Sequence, residues 1–422
     1  MRIVGNAGTI MSPDEALRLI EPDAKVVAAP GCGSPTTLLG ALARRSHEVP
    51  VTLYLGLQVD DYPWLDHVDA DRFRLMTWHV AGPLRRRLGD GVVEYVPARA
   101  TQVPDLLQRW DVDATLIRVS PADDYGFHSL GPTASYALTS ARRSRVVIAE
   151  IDPDVPRTFG AWIHRSQITA TVESEQPMPL YEAATPDPTS VAIADRVLGL
   201  LPERPTLQLG IGGVPEALTA SLADVDLGPL RFVGMVTDAM ADLFDAGKLD
   251  IDAVYPDPAI LAAEVMGTRR VMDFVDGNPL VGVRESAHSH HPAALGDLDR
   301  FVSINSAIDI DLTGQVNAES VRGRQISGVG GSIDYAETAF HSDGGLRVLA
   351  LSSTTPDGKH SRIVPAIDAG NTITHPRTSI DLVVTEHGVA DLRGRSLTER
   401  RSALISVSDP SFRDELADPA ST

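Results

Sequence analysis

Leu207-Gln208-Leu209-Gly210-Ile211-Gly212-Gly213-Val214-Pro215 runs directly into Glu216-Ala217-Leu218-Thr219-Ala220-Ser221-Leu222-Ala223, an apolar stretch joined by glycines to an amphipathic one. The pattern predicts a strand over 206–209 and a helix over 216–223. Glycines at such a turn let a ligand approach the backbone, and the helix behind them offers free N–H groups and a positive dipole end. This is not the dinucleotide fingerprint, because Pro215 stands where the third glycine belongs. The same order occurs earlier in the chain. Residues 25–29 read as a buried strand, Pro30-Gly31-Cys32-Gly33-Ser34-Pro35 as its turn and residues 36–45 as the next helix. Repeated strand–glycine–helix units define an α/β fold, and open α/β sheets place ligands at such turns.

Between the two turns, strands are expected over 51–55, 114–119 and 145–151, and helices over 102–110 and 134–141. A first helix is expected over 13–20, with Ser12 as N-cap and Pro13 in its first turn. Pro177, Pro179, Pro186 and Pro188 crowd the polar stretch 176–189, which reads as a linker. A helix over 190–201 follows it. The expected organisation is therefore two open α/β domains, 1–184 and 190–416.

A chain of 422 residues, 43% hydrophobic and 22% charged, has the composition of a globular protein too long for one ordinary core. A formal net charge of −20 with no basic stripe argues against a nucleic-acid partner. The densest basic run, Arg85-Arg86-Arg87, reads as a solvated helix face. Apolar stretches such as 197–201 are too short to span a bilayer, so no membrane partner is expected. No apolar h-region occupies residues 1–5 and the single cysteine, Cys32, allows no internal disulfide, so the expected compartment is a reducing cytoplasm. The tail, 417–422, is expected to fray.

A second glycine cluster, Ser327-Gly328-Val329-Gly330-Gly331-Ser332-Ile333-Asp334-Tyr335, follows Asn305-Ser306-Ala307-Ile308-Asp309-Ile310-Asp311-Leu312-Thr313-Gly314-Gln315-Val316, whose first part alternates like a strand. Three glycines in four positions are entropically expensive to order, which points to close backbone approach, and their N–H groups could serve a developing oxyanion. With Leu207 to Gly212, these segments resemble the acetyl-CoA hydrolase/transferase family. Ser361-Arg362-Ile363-Val364-Pro365, Val383-Val384-Thr385-Glu386-His387-Gly388-Val389-Ala390-Asp391-Leu392-Arg393-Gly394, Val119-Ser120-Pro121-Ala122-Asp123 and Pro156-Arg157-Thr158-Phe159-Gly160 extend the likeness over nearly the whole chain.

The resemblance implies a pair of α/β domains of the CoA-transferase type, a coenzyme A thioester as substrate, no metal, and a homodimer or larger assembly. It implies that Gly210, Ile211, Gly212, Gly213, Val214 and Pro215 lie along the CoA chain. Gly31, Cys32 and Gly33, with Asn305, Gly328, Val329, Gly330 and Gly331, would face the thioester. Members of the family commonly use a glutamate nucleophile that forms an acyl anhydride and then a glutamyl-CoA thioester. The corresponding run here is Phe232-Val233-Gly234-Met235-Val236-Thr237-Asp238-Ala239, which leaves Gly234 at the glutamate's position.

Two carboxylates are candidates to replace it. Asp238 is near in sequence but also suits a helix-terminal role. Glu264 lies in the apolar segment Ala263-Glu264-Val265-Met266-Gly267, where burial would perturb its acidity. Glu386 reads as structural, and Cys32 is as readily a packing residue as a nucleophile. His288-Ser289-His290-His291 lacks a matching cluster and reads as a solvated loop. Three functions remain open: acyl-CoA chemistry without the anhydride (hydrolysis or an intramolecular reaction), CoA transfer by a relocated carboxylate, or non-catalytic CoA binding.

Overall fold

The computed structural model describes residues 10–59, 61–82 and 84–418; the leader positions 1–5 and most of the expected frayed tail lie outside them. The chain divides into two compact units. The first comprises residues up to 182 together with 235–238 and 252–289; the second comprises 183–234, 239–251 and the chain from 290 onward.

The first unit is built on a seven-stranded sheet in the spatial order Val93–Tyr95, Phe73–Thr77, Val51–Leu55, Ala24–Ala28, Ala114–Val119, Val146–Ile151, Ala170–Glu173. Every pairing in it is parallel. Its central strands read as continuous apolar runs because helices cover both faces. The helix Thr36–Arg45 buries Leu38, Leu39, Ala41 and Leu42 against this sheet's core. The strand order reverses between Ala24–Ala28 and Ala114–Val119, so the Gly31–Gly33 turn leaves the sheet at its switch point, where open α/β sheets bind ligands.

A buried ion cluster fixes the start of the helix behind that turn. The Arg118 side chain donates to Glu150 at 2.7 Å, to Asp152 at 2.6 Å and to Thr36 Oγ1 at 2.7 Å. Glu150 in turn accepts from the Leu38 N–H at 3.1 Å. Removal of the arginine alone would leave two buried carboxylates without their cation.

In the second unit, residues 231–234 of the strand Arg231–Val236 and the strands Thr206–Leu209, Phe301–Asn305, Leu346–Ala350 and Leu382–Thr385 run parallel in that spatial order, edged by antiparallel Gly388–Asp391. The order reverses between Thr206–Leu209 and Phe301–Asn305, placing the Gly210–Gly212 turn at this unit's switch point. A separate core gathers Ile310, Leu312, Leu349, Ile363, Val383 and Leu404.

Several expected boundaries move for identifiable reasons. The helix after the second glycine turn begins at Gly213, not 216. A Cβ there would stand 2.6 Å from Ser190 Oγ, so glycine lets this helix pack closely on Pro188–Leu198. The helix expected from 134 starts at Ala137, because Thr133 and Ser135 are drawn into β-bridges, Thr133 with Glu264. The first helix ends at Leu17 and keeps the Ser12–Glu15 capping box. Among the described residues no helix is long and apolar enough to cross a membrane.

Candidate active site

In the first unit the Gly31–Gly33 turn is shaped by what stands against it. Gly31 has φ +59°, a left-handed conformation that favours glycine. A Cβ on Gly33 would lie 2.7 Å from Thr133 Cβ, closer than packing allows, so Thr133 fits only over a glycine. Thr133 Oγ1 donates to the Pro30 carbonyl at 3.1 Å, tying the turn to the 133–135 segment.

Glu264, on the strand Ile260–Val265, meets this turn: its Oε2 is 3.4 Å from where a Gly31 Cβ would be, beside Met266 Sδ. The segment carrying Thr133 is zipped to it through Ala134 N–H to the Ala263 carbonyl at 3.0 Å and Val265 N–H to the Pro132 carbonyl at 2.7 Å. Glu264 is half-buried. Loss of water around its carboxyl pushes its pKa up to about 7, and a hydrogen bond from Ser135 pulls the other way. A carboxyl held there passes between acid and base near neutral pH.

The other candidates of the first unit are committed elsewhere. Asp238 Oδ1 accepts from Val271 N–H and Thr268 Oγ1, and Oδ2 from Thr268 N–H, all at 2.9 Å. It thereby organises the start of the helix Arg269–Val275. Cys32 is fully buried, and burial pushes its thiol up to about 12, which keeps it protonated and poorly nucleophilic at neutral pH.

In the second unit, Gly210 and Gly212 face open space: a Cβ on either would meet no atom within 4 Å. Gly212 has φ +126° and leads straight into the helix Gly213–Leu222, whose free N–H groups start at this turn. Asn305 donates through Nδ2 to Gln208 Oε1 at 3.1 Å and to Ser303 Oγ at 2.9 Å. Both amide hydrogens are thereby engaged, so its side chain is a fixed brace rather than a free oxyanion donor. Gly330 has φ +58° and is open, whereas a Cβ on Gly331 would strike His290 Cδ2 at 2.5 Å and Tyr335 Cε2 at 2.8 Å.

His290 therefore differs from the solvated loop expected of it. Its ring lies 4.7 Å from that of Tyr335, and burial lowers its pKa to about 4, so it is neutral at pH 7. His291 is exposed, and among the described residues no three His, Cys, Asp or Glu side chains gather as a metal site. Glu386 accepts from Ser353 N–H at 3.0 Å and Ser353 Oγ at 2.6 Å, which is the structural work expected of it.

Gly234 is glycine for reasons of backbone. It pairs, within the strand Arg231–Val236, with Leu209 at the end of the neighbouring strand, and has φ +120°, a conformation L side chains rarely adopt. A Cβ there would be 3.5 Å from Tyr335 Oη, 3.5 Å from Gln208 Cγ and 3.6 Å from the Leu209 carbonyl oxygen. The Tyr335 hydroxyl was not singled out from sequence. Its place four residues after Gly331 was visible, but that helix's packing beside Gly234 joins residues 101 positions apart.

Two α/β units, glycine turns at both switch points and the motif order place this chain in a class that acts on coenzyme A thioesters: it belongs to the acetyl-CoA hydrolase/transferase family. Residues 7–182 match the model of that family's N-terminal domain and residues 267–420 that of its C-terminal domain. The chain is 34% identical over 418 residues to the 4-hydroxybutyrate coenzyme A transferase of Clostridium kluyveri, covering 96% of each chain. It is 32% identical to the butyryl-CoA:acetate CoA-transferase of Anaerostipes caccae, covering 96% of this chain and 94% of that one. Among solved structures, RipA from Yersinia pestis superposes with a TM-score of 0.89 at 29% identity, covering 96% of each chain.

Proposed function

We propose that the protein hydrolyses an acyl-CoA thioester with Glu264 as general base, and without an acyl-glutamyl anhydride. The observation that carries the reading is the Glu264 carboxyl, set against the Gly31 turn with a pKa raised to about 7. A nucleophile gains from being ionised and basic at once; a carboxyl that holds its proton half the time at neutral pH is better suited to relaying one. Glu264 takes a proton from water as the water oxygen bonds to the thioester carbon. The tetrahedral intermediate then collapses, the carbon–sulfur bond breaks, and the departing sulfur takes the proton back from Glu264. The products are a carboxylic acid and free CoA, and the carboxylate is regenerated for another cycle. In the second unit, the open backbone at Gly210 and Gly212 supports the reading that the CoA chain lies along that turn.

The names of the transferase relatives support a second reading, in which Glu264 is itself acylated. Release of CoA thiol from a panel of acyl-CoAs, with and without acetate as acceptor, separates the two. Hydrolysis predicts acetate-independent turnover and no residue trapped by hydroxylamine or borohydride. Glu264→Gln should lower kcat by about 100-fold or more. The rate should rise with pH and level off above about 7, since the base works only when deprotonated. Trapping on Glu264 with acetate-dependent turnover would establish the transferase instead. CoA binding with no turnover across the panel would leave only a binding protein.

A further inference from the structure

In the second unit we infer a binding site for a nucleoside polyphosphate, in a cavity of about 680 Å³ walled by the turn at 321–322, the segment 359–365 and residues 412–416. Three cations line it, each from a different stretch of backbone or turn: Arg322, Lys359 and Arg362. Among the described residues none of the three side chains makes a hydrogen bond or an ion pair. Other arginines of this unit are committed. Arg347 donates to both oxygens of Asp381, at 3.0 and 2.6 Å, and Arg401 and Arg413 donate to the Leu416 and Ser408 carbonyls. In a chain of net charge −20, three cations left without partners around one cavity make a place for an anion.

Carboxylates line the same cavity: Asp309, Asp368 and Glu415. Asp309 accepts from Asn317 Nδ2 at 3.0 Å, and burial, together with the charge of Asp368, raises its pKa. It therefore gives up its charge more readily than an ordinary carboxylate when an anion arrives. Asp368 and Glu415 are exposed, where salt and water screen them.

The backbone marks Arg322 in particular. With Gly323 it forms the two-residue turn between the strands Ser320–Val321 and Arg324–Gln325, at φ +51° and +73°. A turn of this kind needs positive φ at both positions, which glycine, asparagine and aspartate meet far more easily than arginine. The tip is pinned as well: Gly323 N–H donates to Asn371 Oδ1 at 2.9 Å, and Thr372 N–H to Ser320 Oγ at 2.7 Å. An arginine kept at a strained position on the wall of a cavity points to use of its guanidinium. Charge and shape then give the ligand's class. One carboxylate would engage one or two cations, whereas three cations match a chain of phosphates. Much of the remaining wall is apolar, with Ile308, Ile326, Pro365 and Phe412, which suits the face of a nucleobase. The phosphates could belong to the adenosine end of CoA or to a free nucleotide.

Calorimetry with ATP, on the wild type and on Arg322→Gly, tests the site. Glycine suits the turn, so the variant should keep or gain urea stability while its ATP affinity falls about tenfold. Lys359→Gln should lower the affinity too. A severalfold rise in KM for acyl-CoA in Arg322→Gly, absent for a truncated thioester lacking the nucleotide, assigns the phosphates to CoA. ATP binding that persists in saturating CoA assigns them to a free nucleotide. ATP affinity that is undetectable or unmoved by both variants, with KM for acyl-CoA unmoved too, overturns the proposal. Decanoate binding as tightly as ATP would overturn it as well, since a single carboxylate would then suffice. ATP binding by a protein that turns over no thioester would defeat the hydrolase reading and keep this one.

Discussion

Glu264 and Gly234 make opposite demands on the residues around them. Glu264 is a polar group whose environment resists its charge, so its contribution to stability depends on pH. Its folded pKa, about 7, lies above the ordinary 4.5, so the folded state binds the proton more tightly than the unfolded chain does. Stability from this group is fully present below pH 4.5 and is lost as pH rises through about 7. Glu264→Gln should therefore raise stability on the order of 3 kcal/mol at pH 8 and change it little at pH 4.5, as urea midpoints at the two pH values would show. The variant would be more stable and less active, which a merely tolerated surface carboxylate would not produce. Gly234 has room for a methyl group, since the nearest atoms would be 3.5 Å away, but not the backbone for one. Gly234→Ala should cost about 1–3 kcal/mol through φ strain alone. An unchanged urea midpoint would show that the strand relaxes freely there. Sequence marked both residues, Glu264 by its apolar neighbours and Gly234 by its place in a motif. The left-handed φ was not legible, because no local residue pattern records the conformation the strand adopts within its sheet.

Helix starts are where single side chains hold whole elements, and Asp238 is the clearest case. Its three hydrogen bonds, all at 2.9 Å, satisfy donors at the head of the helix Arg269–Val275, while Thr268 caps the same helix by accepting from Arg270 N–H. Asp238→Ala should destabilise the protein by about 2 kcal/mol or more, because buried N–H groups lose their acceptor. Asp238→Asn, which keeps one oxygen acceptor, should recover part of that loss. If instead the alanine variant folds normally and loses activity, Asp238 belongs to the chemistry. Sequence reasoning offered the helix-terminal role beside the catalytic one, and the choice required the geometry of residues 30 or more positions away. Strands were easier to read than helix ends. Val51–Leu55, Ala114–Val119 and Thr206–Leu209 fall where local pattern puts them, and among the helices Thr36–Arg45 does too. The helix expected from 134 began late because a bridge from Thr133 to Glu264 outweighed local propensity.

At the scale of the molecule, the α/β class was legible because glycine turns and apolar strands are local signals, whereas the grouping of 235–238 and 252–289 with the first unit was not. Such membership is decided by contacts between residues far apart in sequence, which no local period records. Net charge is the whole-molecule property that sequence gives completely, and it bears on function. The chain carries a formal charge of −20, and its proposed substrate carries the phosphates of CoA, so the long-range field opposes encounter. Added salt screens that repulsion over a Debye length that shrinks to about 8 Å at physiological ionic strength. Contacts made directly to phosphate work the other way, because salt weakens them. If the long-range field controls encounter, kcat/KM for acyl-CoA should rise severalfold between about 10 and 150 mM KCl, while the value for an uncharged truncated thioester stays level. If kcat/KM for acyl-CoA falls with salt, local cations dominate the approach of the substrate despite the acidic surface. The truncated thioester separates this field effect from any effect of salt on the catalytic groups themselves, since both substrates share the same reacting bond.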